Sequence, residues 1–365
     1  VEGVSLLYKP DWDQVKPRYT AWWAREEMDG PLLIVHAPLP KPIMEVPAPK
    51  PDPTPEERWL DIEYRITATE WQMAHTYYGG DAFPWFDTNL GPGSLAIHLG
   101  SPPTFDHNTV WYNEVFTDIT TAQIPPFNPE EKHWKINTEM ARQGMEHFKG
   151  KALVSFPDLV ENLDTLASLR GALELLTDLV DHPEQVHRLQ RDILERYFDY
   201  YDAFEQIIRD EDGGTVFSAF HIWGIGRTCK LQCDMSCMIS PELFNEFVLP
   251  YLEQQCERLD NTIYHLDGVN AIKHLDALCS MKKLNAIQWT PGAGQPHAGD
   301  PRWYPIYEKA LKAGKGVLAL GVPPESVQPL IEAIGTRGVM VSTWASTPEE
   351  ADELVKQSKR WRKRA

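Results

Sequence analysis

Cysteine is scarce in this chain, five in 365 residues, and basic side chains are in deficit, 35 against 53 acidic ones for a net charge of −18. Five thiols in so long a chain are neither a disulfide framework nor a paired set, which fits free thiols in a reducing compartment. The charge deficit repels nucleic acid and anionic membrane, and it disfavours a substrate that carries many carboxylates. No apolar run approaches the ~20 residues of a membrane-spanning helix, so no membrane association is expected. Val1 opens no basic, apolar-cored leader, and the expected location is the cytoplasm. Three motifs are also missing. No strand is followed by Gly-x-Gly-x-x-Gly, since Gly224-Ile225-Gly226 lacks the third glycine and Gly91-Pro92-Gly93 opens no helix. A phosphate-cradling Gly-x4-Gly-Lys-Ser/Thr loop and a Gly-x-Ser-x-Gly nucleophile elbow are absent too, which argues against P-loop and serine-hydrolase chemistry.

The hydrophobic fraction of 42% and the 11% of aromatics are those of a folded globular protein with a sizeable core. Residues 8–28 place Trp12, Val15, Tyr19, Trp22 and Trp23 at helical spacing, a lead-in to the first buried strand at 31–37. Prolines then recur from 38 to 55 and exclude a regular helix or central strand, leaving an extended surface segment or a lid. A helix is expected over 55–78, and further strands at 79–86, 152–158, 215–223, 262–267, 284–290, 316–321 and 338–343, with helices between the later ones and a long irregular excursion at 87–127. Short apolar strands alternating with helices imply a parallel sheet covered on both faces. Eight of them favour a single α/β domain over 1–365 folded as a (β/α)8 TIM barrel, with an open Rossmann-like sheet as the alternative.

In a parallel barrel the chemistry sits at the C-terminal strand ends. The candidates there are His36, Asp87, Asp158, His221, His265, Asp267, Gln288 and the Ser342-Thr343-Trp344 turn. Alternation along a strand sends His265 and Asp267 out on one face, so imidazole and carboxylate converge on one point, unless Asp267 simply caps the following helix and His265 bonds to it. Histidine with carboxylate suits zinc and similar ions, and a polar rim suits plain substrate recognition equally. Trp85, Trp223, Trp289 and Trp344 lie at or near strand ends and are read as candidate walls for a ligand, against packing in the core. Cys229, Cys233 and Cys237 fall at i, i+4 and i+8, one face of a helix if that segment is helical, and ordinary packing is preferred to a zinc site there.

The runs Met238-Ile239-Ser240-Pro241-Glu242-Leu243-Phe244, Phe247-Val248-Leu249-Pro250-Tyr251 and His265-Leu266-Asp267-Gly268 resemble the uroporphyrinogen decarboxylase superfamily. Leu90-Gly91-Pro92-Gly93-Ser94 and Val154-Ser155-Phe156-Pro157-Asp158 fit its first half, so that the resemblance spans residues 31–359. It implies a (β/α)8 barrel and either porphyrinogen decarboxylation or zinc-dependent methyl transfer between a corrinoid and a thiol or similar acceptor. The chain departs from both branches. Arg18-Tyr19-Thr20-Ala21-Trp22-Trp23-Ala24-Arg25 does not reproduce the arginine-rich motif of the decarboxylases. Asp267 stands where the methyltransferases carry the cysteine of His-x-Cys, and Ser342-Thr343-Trp344 holds no second cysteine. The expectation is an enzyme of one-carbon transfer on a small oxygenated or methoxylated substrate, with a corrinoid, on a corrinoid protein, or tetrahydrofolate as partner. Its catalytic residues would be His265, Asp267, His221 and Asp158, and its zinc ligands His265, Asp267 and Gln288. Substrate contacts would come from His36, Trp85, Asp87, Trp223, Gln288, Trp289 and Trp344. The alternatives are a decarboxylase or other lyase acting on a different substrate, and a ligand-binding barrel without catalysis.

Uroporphyrinogen itself should not be turned over, because its eight carboxylates need several fixed cations and each unpaired buried charge costs several kcal/mol. A coproporphyrinogen-formation assay checks this, and an ordinary enzymatic rate would contradict it.

Overall fold

The computed structural model describes residues 5–364. Its strands are β1 (Leu32–Pro38), β2 (Thr76–Gly80), β3 (Trp85–Phe86), β4 (Pro103–Phe105), β5 (Val110–Tyr112), β6 (Leu153–Val154), β7 (Gly214–Phe217), β8 (Ile222–Ile225), β9 (Thr228–Gln232), β10 (Asn261–Asp267), β11 (Ala286–Thr290), β12 (Gly316–Ala319) and β13 (Val339–Trp344). Seven of them form one sheet in the order β2-β1-β13-β12-β11-β10-β9, parallel throughout except for the antiparallel β1–β2 pair. The remaining wall is short. β3 pairs in parallel with β6, and a single parallel bridge, Ser155 to Val216, carries the pattern on to β7. Helices cover the outer face, so β1, β12 and β13 are apolar on both sides and read as continuous hydrophobic runs.

The fold is α/β around a mostly parallel central sheet, and among the described residues no backbone ladder closes the ring of eight that was expected. Polar side chains stitch the two seams instead. At the first, β2 occupies the edge of β1, and the buried Asp81 accepts from the Leu33 amide at 2.8 Å and from Arg18 Nε at 2.6 Å. At the second, Thr215 Oγ1 accepts from the Thr228 amide at 3.1 Å and donates to the Gly226 carbonyl at 2.9 Å.

Several local expectations are corrected. The strand expected over 215–223 is a hairpin, β7 and β8, whose turn Ser218–Phe220 ends on His221 at φ 53°, a left-handed conformation uncommon outside glycine. The cysteine-bearing segment is β9 followed by a 3-10 turn (Asp234–Met238), so Cys229, Cys233 and Cys237 do not share a helix face. The helix expected over 55–78 breaks at Asp61, which caps a second helix (Ile62–Ala74) before β2 begins. The proline-rich segment 38–55 carries no helix or strand beyond Pro38 and Pro55 at its ends, and is tied down by Leu39 and Ile43 amides donating to His75 and Ala74 carbonyls.

The lead-in helix (Trp12–Ala24) docks Trp12 and Tyr19 onto Phe83 and Trp223, with ring centroids 5.2–6.4 Å apart. Each such fully buried large side chain contributes roughly 1.5–3 kcal/mol. The core is one contiguous cluster drawing on both halves of the chain.

Candidate active site

Strand register explains which polar groups meet. His265 on β10 is flanked by Gln232 on β9 and Gln288 on β11, so three polar side chains stand in one row across three parallel strands. Alternation adds Lys230 to the face of Gln232, and Asp267 and Thr290 to the faces of His265 and Gln288. His265 Nδ1 is hydrogen-bonded to Gln288 Oε1, while Gln288 Nε2 donates to Thr290 Oγ1 at 2.8 Å. An amide oxygen only accepts, so Nδ1 carries the proton and Nε2 keeps its lone pair. That nitrogen lies 3.9 Å from Asp267 Oδ2, and ligand atoms of Asp234, His265 and Asp267 all lie within 4.8 Å of one another.

A polar chain holds this cluster in place. Lys230 is 3% exposed and pairs with Asp158 Oδ1 at 2.6 Å, with Gln232 Oε1 as a second acceptor. Gln232 Nε2 then donates to Asp234 Oδ2 at 3.1 Å and to Asp164 Oδ2 at 3.0 Å. Asp164 also accepts from the amides of Asp234 at 2.8 Å and Met235 at 3.0 Å, fixing the turn that delivers Asp234. Partial loss of water around a side chain that stays exposed, together with the neighbouring Asp164 carboxylate, pushes the Asp234 carboxyl above its usual range, against the pull of Lys230. Burial and the Lys230 charge both hold the His265 imidazole below its usual value. The net result is an acidic cluster with one neutral imidazole whose free nitrogen faces two carboxylates, an arrangement suited to a divalent cation.

The other candidates gather on the β1 side. Register sets His36 beside Trp344, and the His36 ring lies 5.3 Å from His221 and 5.9 Å from Trp85, with Trp85 4.7 Å from His221. Burial pushes His36 down to about 4, and burial with the neighbouring His36 takes His221 to about 3. These residues, Asp87 and Trp344 line a cavity of ≈ 1050 Å³ under the helix Ile62–Ala74. A smaller cavity of ≈ 200 Å³ shares Trp85, Asp87 and His221 with it and adds Asp158, the partner of Lys230. The two cavities share a wall, and Asp158 in the smaller one is tied to the acidic cluster through Lys230.

Not every expected contact is made. His265 lines neither cavity; its ring lies 5.4 Å from Phe220, and Asp267 lines a third hollow with Trp289 and Thr290. Gln288 is fully buried and orients His265, so Asp234 takes its place in the ligand cluster. Trp223 is 1% exposed, donates its indole N–H to Asp210 at 2.7 Å and packs on Trp12, lining neither cavity. Trp289 is wholly buried against Trp303. Sequence reasoning missed Lys230 and Asp234. The alternation Lys230-Leu231-Gln232-Cys233-Asp234 is a half-buried strand signal, but the four-residue cysteine spacing hid it.

No family model and no curated protein sequence matches the chain. Among solved structures it is similar in fold to a methyltransferase from Methanosarcina mazei, with a TM-score of 0.61 and 12% identity over 94% of this chain and 98% of that one. A structure of macrophomate synthase aligns over 64% of this chain and 72% of that one at 18% identity, with a TM-score of 0.23.

Replacing Lys230 with methionine strands the Asp158 carboxylate and should cost about 3–5 kcal/mol in unfolding free energy. The double variant Lys230→Met/Asp158→Leu should recover most of that loss. Urea unfolding of the wild type, Lys230→Met, Asp158→Leu and the double variant measures the coupling, and additive losses would contradict it.

Proposed function

We propose that this chain is a methyl-transfer enzyme acting on a small oxygenated or methoxylated compound, with a corrinoid or tetrahydrofolate as the second partner of the reaction. The sheet and its short supplementary pairs are taken as the wall of an eight-unit barrel whose C-terminal strand ends form the site. The observation that carries the reading is the convergence of Asp234, His265 and Asp267, with His265 Nε2 left free by its Gln288 bond. The fold shared with a methyltransferase supports it at a coarser level.

The donor set fits a divalent ion, zinc being the first candidate. Two carboxylates and one imidazole with a fixed tautomer present three ligand atoms, and the surrounding charge is negative beyond what Lys230 neutralises. Bound there, such an ion would polarise an oxygen leaving group or a bound water. The chain's own residues do the rest. Gln288 and Thr290 hold the imidazole, Gln232 and Asp164 hold Asp234, and Lys230 holds Asp158 at the edge of the cavity. A carboxylate-rich set leaves a bound ion harder and more Lewis acidic than a thiolate set does, which favours an oxygenated substrate over a thiol acceptor. Trp85 and Trp344 supply apolar surface for that substrate.

The test presents reduced corrinoid or tetrahydrofolate with a panel of methoxylated compounds, and separately methylcobalamin with thiols. Demethylation of a methoxylated compound, lowered at least a hundredfold in His265→Ala and Asp234→Ala, is the expected outcome. Robust thiol methylation that survives Asp267→Ala would contradict the reading, as would inactivity across both panels.

A further inference from the structure

The large cavity carries a feature that the acidic cluster does not use. Nε2 of His36 and Nδ1 of His221 are buried without a hydrogen-bond partner, although their rings stand side by side. An unpaired buried polar group costs roughly 1–3 kcal/mol, so two at one place call for an explanation. The backbone supports the same view. His221 is held at φ 53° by the turn after β7, and its carbonyl accepts from the buried Tyr19 hydroxyl at 2.7 Å. A strained residue fixed from below, with its ring turned into a wall of aromatic side chains, is typical of a ligand contact.

Charge and shape narrow the ligand. Neither imidazole has a carboxylate partner, and burial keeps both neutral, so each ring offers one donor and one acceptor. Arg65 in the cavity wall is spent on the carbonyls of Trp59, Asn89 and Asp87, with the Asp87 carboxylate 3.6 Å away. Trp85 lies against both histidines and offers a flat apolar surface. We infer that His36 and His221 are the recognition pair for adjacent oxygen substituents on an uncharged aromatic ring, the chemistry of a 2-methoxyphenol, with the ring seated on Trp85. This deepens the proposed function by naming its substrate class, and it rests on that reading.

The test is binding rather than turnover. The full chain, stripped of metal with a chelator and without corrinoid, is titrated with 2-methoxyphenol by calorimetry and tryptophan fluorescence. Toluene and phenyltrimethylammonium serve as comparison ligands. One-to-one binding is expected, at least tenfold tighter than for either comparison ligand. His221→Asn, which tolerates the left-handed backbone, and His36→Leu should each weaken 2-methoxyphenol at least tenfold and leave toluene unchanged. In case either variant unfolds, nitrogen-15 histidine spectra of the wild type give an independent readout, in which two of the twelve histidines should respond to 2-methoxyphenol. Equal binding of toluene, a preference for the ammonium compound, unchanged affinity in both folded variants, or silent histidine spectra would each overturn the inference. Binding that depends on the pair but leads to no demethylation would overturn the methyl-transfer reading and leave the pair standing. Demethylation with KM unchanged in both variants would do the reverse.

Discussion

A lysine ammonium buried on the last strand of a mostly parallel sheet must replace the water it gave up, and Lys230 does so with the Asp158 carboxylate at 2.6 Å and the Gln232 amide oxygen. Taking that charge out of water costs several kcal/mol unless the geometry is good and the remaining protons are satisfied. The pair therefore constrains everything around it. Gln232 turns its amide nitrogen to Asp234 and Asp164, which fixes the turn after β9, and Lys230 tempers the repulsion among Asp158, Asp164, Asp234 and Asp267. Without a buried cation at this point, the like charges at this end of the sheet would have only one another and water as neighbours, and like charges at close range repel.

The candidate site has two sides of different chemistry. On the β9–β11 side the groups are charged or strongly dipolar and hold one another by hydrogen bonds in register across the strands. On the β1–β3 side the groups are aromatic, with two neutral histidines and a cavity large enough for a small organic ligand. Asp158 touches both, lining the small cavity and pairing with Lys230. Such a division suits a reaction in which one region grips the carbon skeleton and the other meets charge that develops during bond breaking.

Much of this was legible in the sequence where a local rule and the tertiary structure agree. Leu33, Val35, Val317, Leu318 and Val341 lie in strands because apolar runs buried on both faces read as parallel strands, and His265 and Asp267 share a face because side chains alternate. The failures have physical causes. The β7–β8 hairpin reads as one strand in the sequence because its turn, Ser218, Ala219 and Phe220 ending on His221, holds no glycine, proline, asparagine or aspartate to mark it. Gln288 at a strand end reads equally as a ligand, since nothing in a sequence tells whether an amide oxygen faces an ion or a neighbouring imidazole; the β10–β11 register sets it against His265. Trp223 was placed at the mouth by its position in the chain, whereas its indole is claimed by Asp210 and its ring by Trp12.

The central claim is that Asp234, His265 and Asp267 bind one divalent ion. Anomalous diffraction at the zinc edge, from crystals of the untagged protein grown with equimolar zinc, tests it directly. The account predicts one strong peak within about 2.0–2.2 Å of His265 Nε2 and of an oxygen from each aspartate, absent in His265→Ala. A peak elsewhere in the molecule with none at these three residues would contradict it.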